Sequence, residues 1–341
     1  MDNFKKQTKQ YELFFLSFKA FFSGQNSVSL FLFFILVISI HISFAQKVIP
    51  LYKQVPNSKP VPGYREMAVT GKDGILRISK VSVPTITIFQ PPKSPGNNAA
   101  VIICPGGGYG IIGYNTEGTD VAKVMNSWGV TAIVLKYRLP SDSIMKDKTI
   151  GPLQDAQRAI QYVRENAVQL KIDPERIGIM GFSAGGHLAS TLSTHFDKAY
   201  IDNPKNTSLR PDFSILGYPV ISFTDELTHL RSRDNLIGEN PSLELIKEFS
   251  NELQVTDKTP PTFLVLAEDD NGVNPRNSIS YYEALLKMNV PAELHIYQNG
   301  GHGFGAHNRT TKENWMQTLN HWMQHNNFLR EKEVGNLELK N

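Results

Sequence analysis

Strand-like and helix-like patterns alternate along most of the chain. A continuous apolar run, typical of a strand buried on both faces, occupies residues 99–104, and further strands are predicted at residues 130–137, 176–182, 213–220, 262–267 and 292–297. Segments predicted to be helical lie between them at residues 118–128, 153–170, 184–194, 279–288 and 311–324. Such alternation predicts a mostly parallel sheet with helices on both faces. Within the helix at 153–170, the apolar face leaves Asp155 and Arg158 on the opposite, polar side.

Other segments depart from this alternation. A Pro- and Gly-rich stretch at 50–63 is typical of an extended arm, and two segments rich in β-branched residues, 75–81 and 85–90, follow it. Residues 221–258 have no strong apolar period and are rich in polar side chains. Because a connection of this length is usually functional or disordered, we interpret 221–258 as a small cap insertion carrying short helices such as 243–249.

The N-terminus has the pattern of a secretory signal. Basic residues precede an apolar run at 28–44, and Ser43-Phe44-Ala45 fits the small-x-small pattern of a signal-peptidase site. The run is shorter than the ~20 apolar residues that span a bilayer, and serines interrupt it. We therefore predict a cleaved signal peptide at 1–45, a secreted or periplasmic protein and no stable membrane insertion after cleavage. The alternative is an uncleaved anchor.

Charge and cysteine content exclude some functions. The formal net charge is +3, and residues 1–45 contribute four lysines against one aspartate and one glutamate, which leaves the rest nearly neutral. A neutral chain has no field to attract nucleic acid, so no nucleic-acid partner is expected. The single cysteine, Cys104, is interpreted as a small buried residue at a strand end.

A candidate nucleophile lies in Gly181-Phe182-Ser183-Ala184-Gly185, which matches G-x-S-x-G. The motif directly follows a predicted buried strand and directly precedes a helix. In such a sharp turn the serine adopts strained backbone geometry, and glycines are needed because neighbouring elements pass close by. The helix N-terminus also directs free amides to the same spot. The alternative is a serine that simply caps the helix.

A glycine run, Pro105-Gly106-Gly107-Gly108-Tyr109-Gly110, follows the first buried strand. Consecutive glycines let the backbone approach a ligand and direct amides toward it, as an oxyanion hole requires. Alone, the run is equally compatible with a flexible turn or a phosphate loop. Together with a downstream nucleophile turn it favours an oxyanion hole.

Candidates for the acid and the histidine of a serine hydrolase occur later in the chain. Asp269 and Asp270 follow the strand at 262–267, and His302 lies between glycines after the strand at 292–297. Each alone is typical of a solvated turn or a surface histidine. Serine, then acid, then histidine, each just past a strand end, is however the chain order of one hydrolase fold.

His321 and His325 are four residues apart on the last helix, which is the spacing of paired metal ligands. The sequence between them lacks the glutamate of a zinc-protease motif. We therefore interpret them as helix-surface residues, with Trp315, Leu319 and Trp322 on the buried face, and predict no metal site.

The chain resembles the α/β-hydrolase superfamily, and within it the bacterial acetyl esterases grouped with acetylxylan esterases and hormone-sensitive-lipase-like esterases. The resemblance covers roughly residues 99–322. It depends on the segments PGGGYG, VLKYRLP (134–140), GFSAGGHLA (181–189), PDFSILGYPV (211–220), AEDDNGVNP (267–275) and GGHGFG.

The resemblance implies Ser183 as nucleophile, His302 as general base and the amides of Gly107, Gly108 and Ala184 as oxyanion donors. The family acid lies at D-x-x-V-P, which selects Asp270 over Asp269, although Asn274 replaces the usual proline. Pro105 replaces the histidine that precedes the glycines in hormone-sensitive-lipase-like enzymes, which favours the carbohydrate-esterase group. Tyr109 is a candidate substrate-binding residue that would shorten the acyl pocket, or it packs under the loop.

The implied function is two-step hydrolysis of short acyl esters, acetyl groups on plant polysaccharide or oligosaccharide such as acetylated xylan, with no cofactor. Two alternatives are a peptidase of the prolyl-oligopeptidase type and a non-catalytic binding module. The predicted organisation is a signal peptide at 1–45, an arm with the first strands at 46–98, a catalytic core at 99–330 and a polar tail at 331–341.

Overall fold

The computed structural model describes residues 47–91 and 98–329. The predicted signal peptide and polar tail lie outside these residues, so their boundaries remain predictions. Among the described residues, no helix is long and apolar enough to cross a membrane.

An eight-stranded sheet forms the centre of the fold, with the strand order β1-β4-β7-β5-β8-β9-β10-β11. Strands β1 and β4 pair antiparallel with their neighbours, and the other six strands are parallel. The strands are β1 (Lys47–Pro50), β4 (Thr85–Phe89), β5 (Ala100–Cys104), β7 (Thr131–Lys136), β8 (Ile177–Phe182), β9 (Ser214–Gly217), β10 (Thr262–Ala267) and β11 (Ala292–Tyr297). This confirms the predicted mostly parallel sheet.

A small antiparallel sheet, β2-β3-β6, lies apart from the main one. It consists of β2 (Met67–Thr70), β3 (Leu76–Ser79) and β6 (Ile112–Gly113). Because β6 directly follows the glycine run, the small sheet anchors the end of that loop. Of these strands and β1, only β3 was predicted. Short, exposed strands such as β2 carry little of the alternating pattern that would reveal them.

Two hydrophobic clusters fill the space between the sheet and the helices. The helices are α1 (Asp120–Ser127), α2 (Gly151–Glu165), α3 (Ala167–Leu170), α4 (Ala184–Thr194), α5 (Leu230–Ile237), α6 (Leu243–Glu248), α7 (Arg276–Lys287) and α8 (Trp315–His325). The predicted helix at 118–128 starts instead with a π-helical turn, Asn115–Thr119, before α1. Segment 221–258 carries α5, α6 and a 3-10 turn, Asn251–Leu253.

Helix α2 corrects the sequence prediction for Asp155. The Asp155 carboxylate is fully buried and pairs with the equally buried Arg138 guanidinium at 2.8 Å. It also accepts the Arg138 backbone N–H at 2.8 Å. An amphipathic pattern marks Asp155 as polar but does not reveal a cation just after strand β7, which is why the placement of Asp155 on the polar face, away from the core, was wrong. Such a charge is tolerated only because it is paired and hydrogen-bonded.

The last helix has the predicted orientation. Trp315, Leu319 and Trp322 are buried, whereas His321 and His325 are exposed. The two histidines are therefore helix-surface residues.

Candidate active site

Four loops meet at the carboxyl edge of the parallel strands. The glycine run follows β5, Ser183 follows β8, Asp270 follows β10 and His302 follows β11. Since carboxyl ends of parallel strands share one edge, residues distant in sequence are brought together there, at the usual ligand-binding edge of such sheets.

Ser183 has the strained backbone that its motif predicts. Its φ is 52° and its ψ is −122°, between the end of β8 and the start of α4. A Cβ on Gly181 would collide with the Gly185 carbonyl oxygen, and one on Gly185 with the Cys104 carbonyl oxygen. The flanking glycines are therefore required by close backbone approach. Left-handed backbone at a non-glycine residue is costly and is concentrated at functional sites.

His302 connects Ser183 to Asp270. Its Nε2 lies 2.8 Å from Ser183 Oγ, and its Nδ1 lies 2.7 Å from Asp270 Oδ2. With the proton on Nδ1 donated to the carboxylate, Nε2 is free to accept the Ser183 hydroxyl proton. This arrangement is able to activate the serine as a nucleophile.

The neighbouring Asp269 has a different set of contacts. Asp269 is exposed, and its carboxylate accepts the Gly301 amide at 2.7 Å. Asp270 is buried, and its second oxygen accepts the amides of Gly272 and Val273 at 2.8 and 2.9 Å. Asp270 thus holds the imidazole, whereas Asp269 holds the backbone of the histidine loop.

The glycine run presents unused amides to the same cavity. Gly107 and Gly108 have φ values of 138° and 62°, in the region that favours glycine. Within the described chain, no hydrogen bond uses the amides of Gly107, Gly108 or Ala184. These are the three predicted oxyanion donors, and they remain available to a bound oxyanion.

Tyr109 lies beneath the glycine run, the second of the two placements that the sequence allowed. Its side chain is 1% exposed, and its hydroxyl lies 2.9 Å from His187 Nδ1. It is not among the described residues that line the cavity. His187 Nε2 lies 2.8 Å from the Phe249 carbonyl oxygen. Because that carbonyl accepts, Nε2 carries the proton and Nδ1 accepts from Tyr109. The network connects the glycine run, helix α4 and the end of the cap insertion.

Sequence reasoning missed a second connection, through Glu117. The Glu117 carboxylate accepts the Gly106 amide at 2.8 Å and the Tyr218 hydroxyl at 2.9 Å. The Tyr218 hydroxyl oxygen in turn accepts the Gly305 amide at 2.9 Å. Burial raises the pKa of Glu117, against the lowering effect of these two hydrogen bonds. The bridge joins the glycine run to the loop that carries His302.

Tyr218 also contacts the candidate base directly. Its ring packs edge-on against the His302 ring with a centroid separation of 5.0 Å. Its φ of 35° is another left-handed value at a non-glycine residue. Only the fold reveals this role, since a tyrosine after a buried strand carries no signal of its own.

The cavity above Ser183 has a volume of about 240 Å³. The glycine run, Ser183 and His302 line it, together with residues of the small sheet, the π-helical turn and the cap insertion. The lining residues are Ile75, Arg77, Gly106, Gly107, Gly108, Ile111, Gly113, Thr116, Glu117, Ser183, His229, Arg231, His302 and Gly303. The volume suits a small ester group, with the rest of a larger substrate outside.

A protein-family model described as BD-FAE matches residues 86–285. The chain belongs to the BD-FAE family and has the α/β-hydrolase fold. A second model, the dienelactone hydrolase family, matches residues 247–332.

Relatives agree with this assignment. The chain is 34% identical over 264 residues to an acetylxylan esterase of Xylanibacter ruminicola, a match that covers 74% of this chain and 52% of the relative. It is 37% identical over 218 residues to endo-1,4-beta-xylanase B of Butyrivibrio fibrisolvens, covering 63% of this chain and 34% of the relative. The chain thus spans about half and about a third of these two proteins.

One solved structure matches this chain over nearly the whole length of the solved protein. The acetyl ester-xyloside bifunctional hydrolase of Caldicellulosiruptor lactoaceticus superposes with a TM-score of 0.72 at 37% identity, over 83% of this chain and 97% of that one. The family models and this solved structure agree on the α/β-hydrolase fold, and two of the proteins that the chain resembles, the acetylxylan esterase and the acetyl ester-xyloside hydrolase, act on acetyl esters by name.

Proposed function

We propose that this protein is a serine esterase that removes acetyl groups from saccharides, with acetylated xylan or its oligosaccharides as substrate class. The observation that carries the proposal is the hydrogen-bonded series from Ser183 to His302 to Asp270, at 2.8 and 2.7 Å. The similarity to an acetylxylan esterase and to an acetyl ester-xyloside hydrolase supports the acetyl group and the sugar.

The proposed mechanism is acyl transfer in two steps. His302 takes the Ser183 hydroxyl proton as the serine oxygen attacks the ester carbonyl, and Asp270 stabilises the imidazolium that forms. The amides of Gly107, Gly108 and Ala184 hold the oxyanion. The imidazolium gives its proton to the departing alcohol, which leaves an acetyl-enzyme. Water, deprotonated by His302, then releases acetate by the same route.

The decisive experiment measures acetate release from acetylated xylan and its oligosaccharides by wild-type protein and Ser183→Ala. The variant should lose about 10⁶-fold in kcat if the three residues act as a unit. Fluorophosphonate should label wild-type protein at Ser183 and should not label the variant. Ser280→Ala, a serine on helix α7, is the matched control. A folded Ser183→Ala protein with near-normal turnover would refute the proposal.

The acyl specificity is tested with p-nitrophenyl esters. Because a pocket discriminates by about 1–3 kcal/mol per methylene, kcat/KM should fall steadily from acetate to butyrate to octanoate. A preference for octanoate would remove the saccharide-acetate assignment. Release of dipeptides from peptides instead of acetate would indicate the peptidase alternative.

The proposal includes export. The N-terminal pattern supports cleavage between Ala45 and Gln46. N-terminal sequencing of protein recovered outside the cytoplasm should begin at Gln46 or within a few residues, whereas a retained Met1 would indicate an anchor.

A further inference from the structure

The cavity opens beside Arg231, a cation on helix α5 of the cap insertion. The Arg231 methylenes lie 3.3 to 3.5 Å from where a Cβ on Gly108 would be, and its Nη2 lies 3.1 Å from the same position at Gly110. Arg231 therefore extends along the glycine run while its side chain stays exposed. It lines the same cavity as Ser183 and His302.

Helix α5 is held on the glycine run by Asn235. The Asn235 side-chain amide donates to the Gly108 carbonyl oxygen at 2.7 Å. Arg231 is four residues earlier in the same helix, so the two side chains lie on the same face. The position of Arg231 over the cavity is thus set by the docking of its helix.

Arg231 differs from the arginines near it because, among the described residues, no carboxylate pairs with its guanidinium. Two residues on, Arg233 pairs with Asp225 at 3.2 Å and with Asp234 at 3.3 Å. Arg77, which also lines the cavity, donates to Asp73 at 2.8 Å. Among the residues that the structure describes, no carboxylate lies within ion-pair distance of Arg231.

The only carboxylate among the cavity residues described is Glu117, which is 8% exposed and already accepts two hydrogen bonds. His229, beside Arg231 at the N-terminus of α5, has its pKa lowered by burial and by the charges of His302 and Arg231, so it adds a polar group more than a positive charge. Because the one carboxylate among these residues is buried and hydrogen-bonded, the unpaired Arg231 guanidinium is able to attract an anionic group.

We propose that Arg231 forms a subsite for a carboxylate on the alcohol portion of the substrate ester. This inference deepens the proposed function and rests on it. An acetyl group carries no charge, so an anionic group must belong to the alcohol side, as in an acetylated oligosaccharide that bears a uronate. The planar guanidinium fork suits a carboxylate, and its exposed position leaves room for a substrate that projects from the cavity.

The test compares two acetyl esters, 4-acetoxybenzoate with a free carboxylate and methyl 4-acetoxybenzoate with that carboxylate masked, at pH 7, and follows release of acetate from both. The measured quantity is the ratio of kcat/KM for the anionic ester to that for the neutral one. Arg231→Gln should lower this ratio about three- to tenfold, as expected for a charge-assisted contact that is partly exposed, with the change mainly in KM for the anionic ester. Arg231→Glu should lower it further, because it replaces attraction with repulsion.

Salt gives an independent readout. For wild-type protein, KM for the anionic ester should rise between about 20 mM and about 500 mM NaCl, because ions screen an exposed contact, and this rise should be lost in Arg231→Gln. The matched control is Arg233→Gln, which removes an arginine of the same helix that is already paired and does not line the cavity, and which should keep the wild-type ratio.

The inference is overturned if Arg231→Gln changes kcat/KM for both esters by the same factor, or if wild-type KM for the anionic ester is insensitive to salt. Failure of the proposed function gives a different result, since neither ester would then be hydrolysed and fluorophosphonate would not label Ser183. Hydrolysis of the neutral ester with labelling at Ser183 leaves the esterase proposal intact even when the charge preference is absent.

Discussion

His302 Nδ1 lies 2.7 Å from Asp270 Oδ2, although 32 residues separate them in the chain. The adjacent Asp269 instead accepts the Gly301 amide. Two neighbouring carboxylates thus hold one loop in different ways, one through the imidazole and one through the backbone. This difference makes the two aspartates separable by experiment.

Asp270→Asn should lower kcat by about 10⁴-fold, because an amide at this position favours the wrong imidazole tautomer. Asp269→Asn should lower kcat far less, since its carboxamide oxygen still accepts the Gly301 amide. Esterase kinetics on p-nitrophenyl acetate measure both effects. If Asp269→Asn had the larger effect, Asp269 and not Asp270 would be the carboxylate that orients His302.

The candidate triad was predictable because Ser183 lies in a specific motif and because serine, acid and histidine follow successive strands in the order of one hydrolase fold. Ser183 lies between glycines that close packing demands, and Asp270 and His302 each follow a predicted strand that ends in a polar loop. The parallel sheet then brings all three loops to one edge. Side chains whose partners lie on distant elements had no such signal. Glu117 is an ordinary acidic residue until the fold brings Gly106 and Tyr218 to it.

The direction of a side chain is equally hard to predict from sequence. Tyr109 is adjacent to the proposed oxyanion loop, so both a cavity position and a buried one were compatible with the sequence. Its left-handed backbone, with φ of 58°, accompanies the buried placement against His187. A local pattern contains no information about that histidine, which is 78 residues away.

Glu117 and Tyr218 are proposed to be positioning residues, because they connect the glycine run to the histidine loop. Tyr218→Phe removes the hydroxyl that bridges Glu117 and Gly305, and should lower kcat about 10- to 100-fold with little change in KM. Glu117→Gln should have a similar effect, since Gly106 and Tyr218 donate to different carboxylate oxygens and one of these oxygens is replaced by an NH2 donor. A large rise in KM at normal kcat would contradict this role.

The control for these variants is Tyr52→Phe. The Tyr52 hydroxyl donates to the Gln154 carbonyl oxygen at 2.8 Å, a comparable hydrogen bond in another part of the molecule. Its loss should affect the free energy of unfolding without changing kcat.

Removing one partner of the buried Arg138–Asp155 pair is predicted to destabilise the protein. Asp155→Asn leaves the Arg138 guanidinium buried without a counter-charge, and should lower the free energy of unfolding by about 3–5 kcal/mol, measured by urea denaturation. Replacing both residues with leucine and methionine should recover part of the loss. The exposed pair Lys123–Asp120 is the control, because Asp120→Asn should change stability by less than about 1 kcal/mol.

Acid should destabilise the protein through His187. The side chain is fully buried, and burial lowers its pKa to about 4 from an ordinary value near 6.5. Between these two pH values the unfolded chain binds more protons at this position than the folded one, so stability falls as pH falls. Above about pH 6.5 the neutral His187 costs the folded state no stability. As pH falls from about 6.5 to about 4, the free energy of unfolding decreases by an amount on the order of 3 kcal/mol.

Replacing His187 should therefore change how the free energy of unfolding depends on pH, which simple loss of packing does not do. His187→Gln should be less stable than wild type at neutral pH, because it disturbs the contacts with Tyr109 and Phe249. Its free energy of unfolding should, however, depend less steeply on pH between about 4 and 6.5 than that of wild type, since the residue that titrates is gone. His321→Gln, an exposed histidine on helix α8, should keep the wild-type slope. Urea denaturation at a series of pH values measures these slopes, and equal slopes for wild type and His187→Gln would show that His187 is not the group responsible.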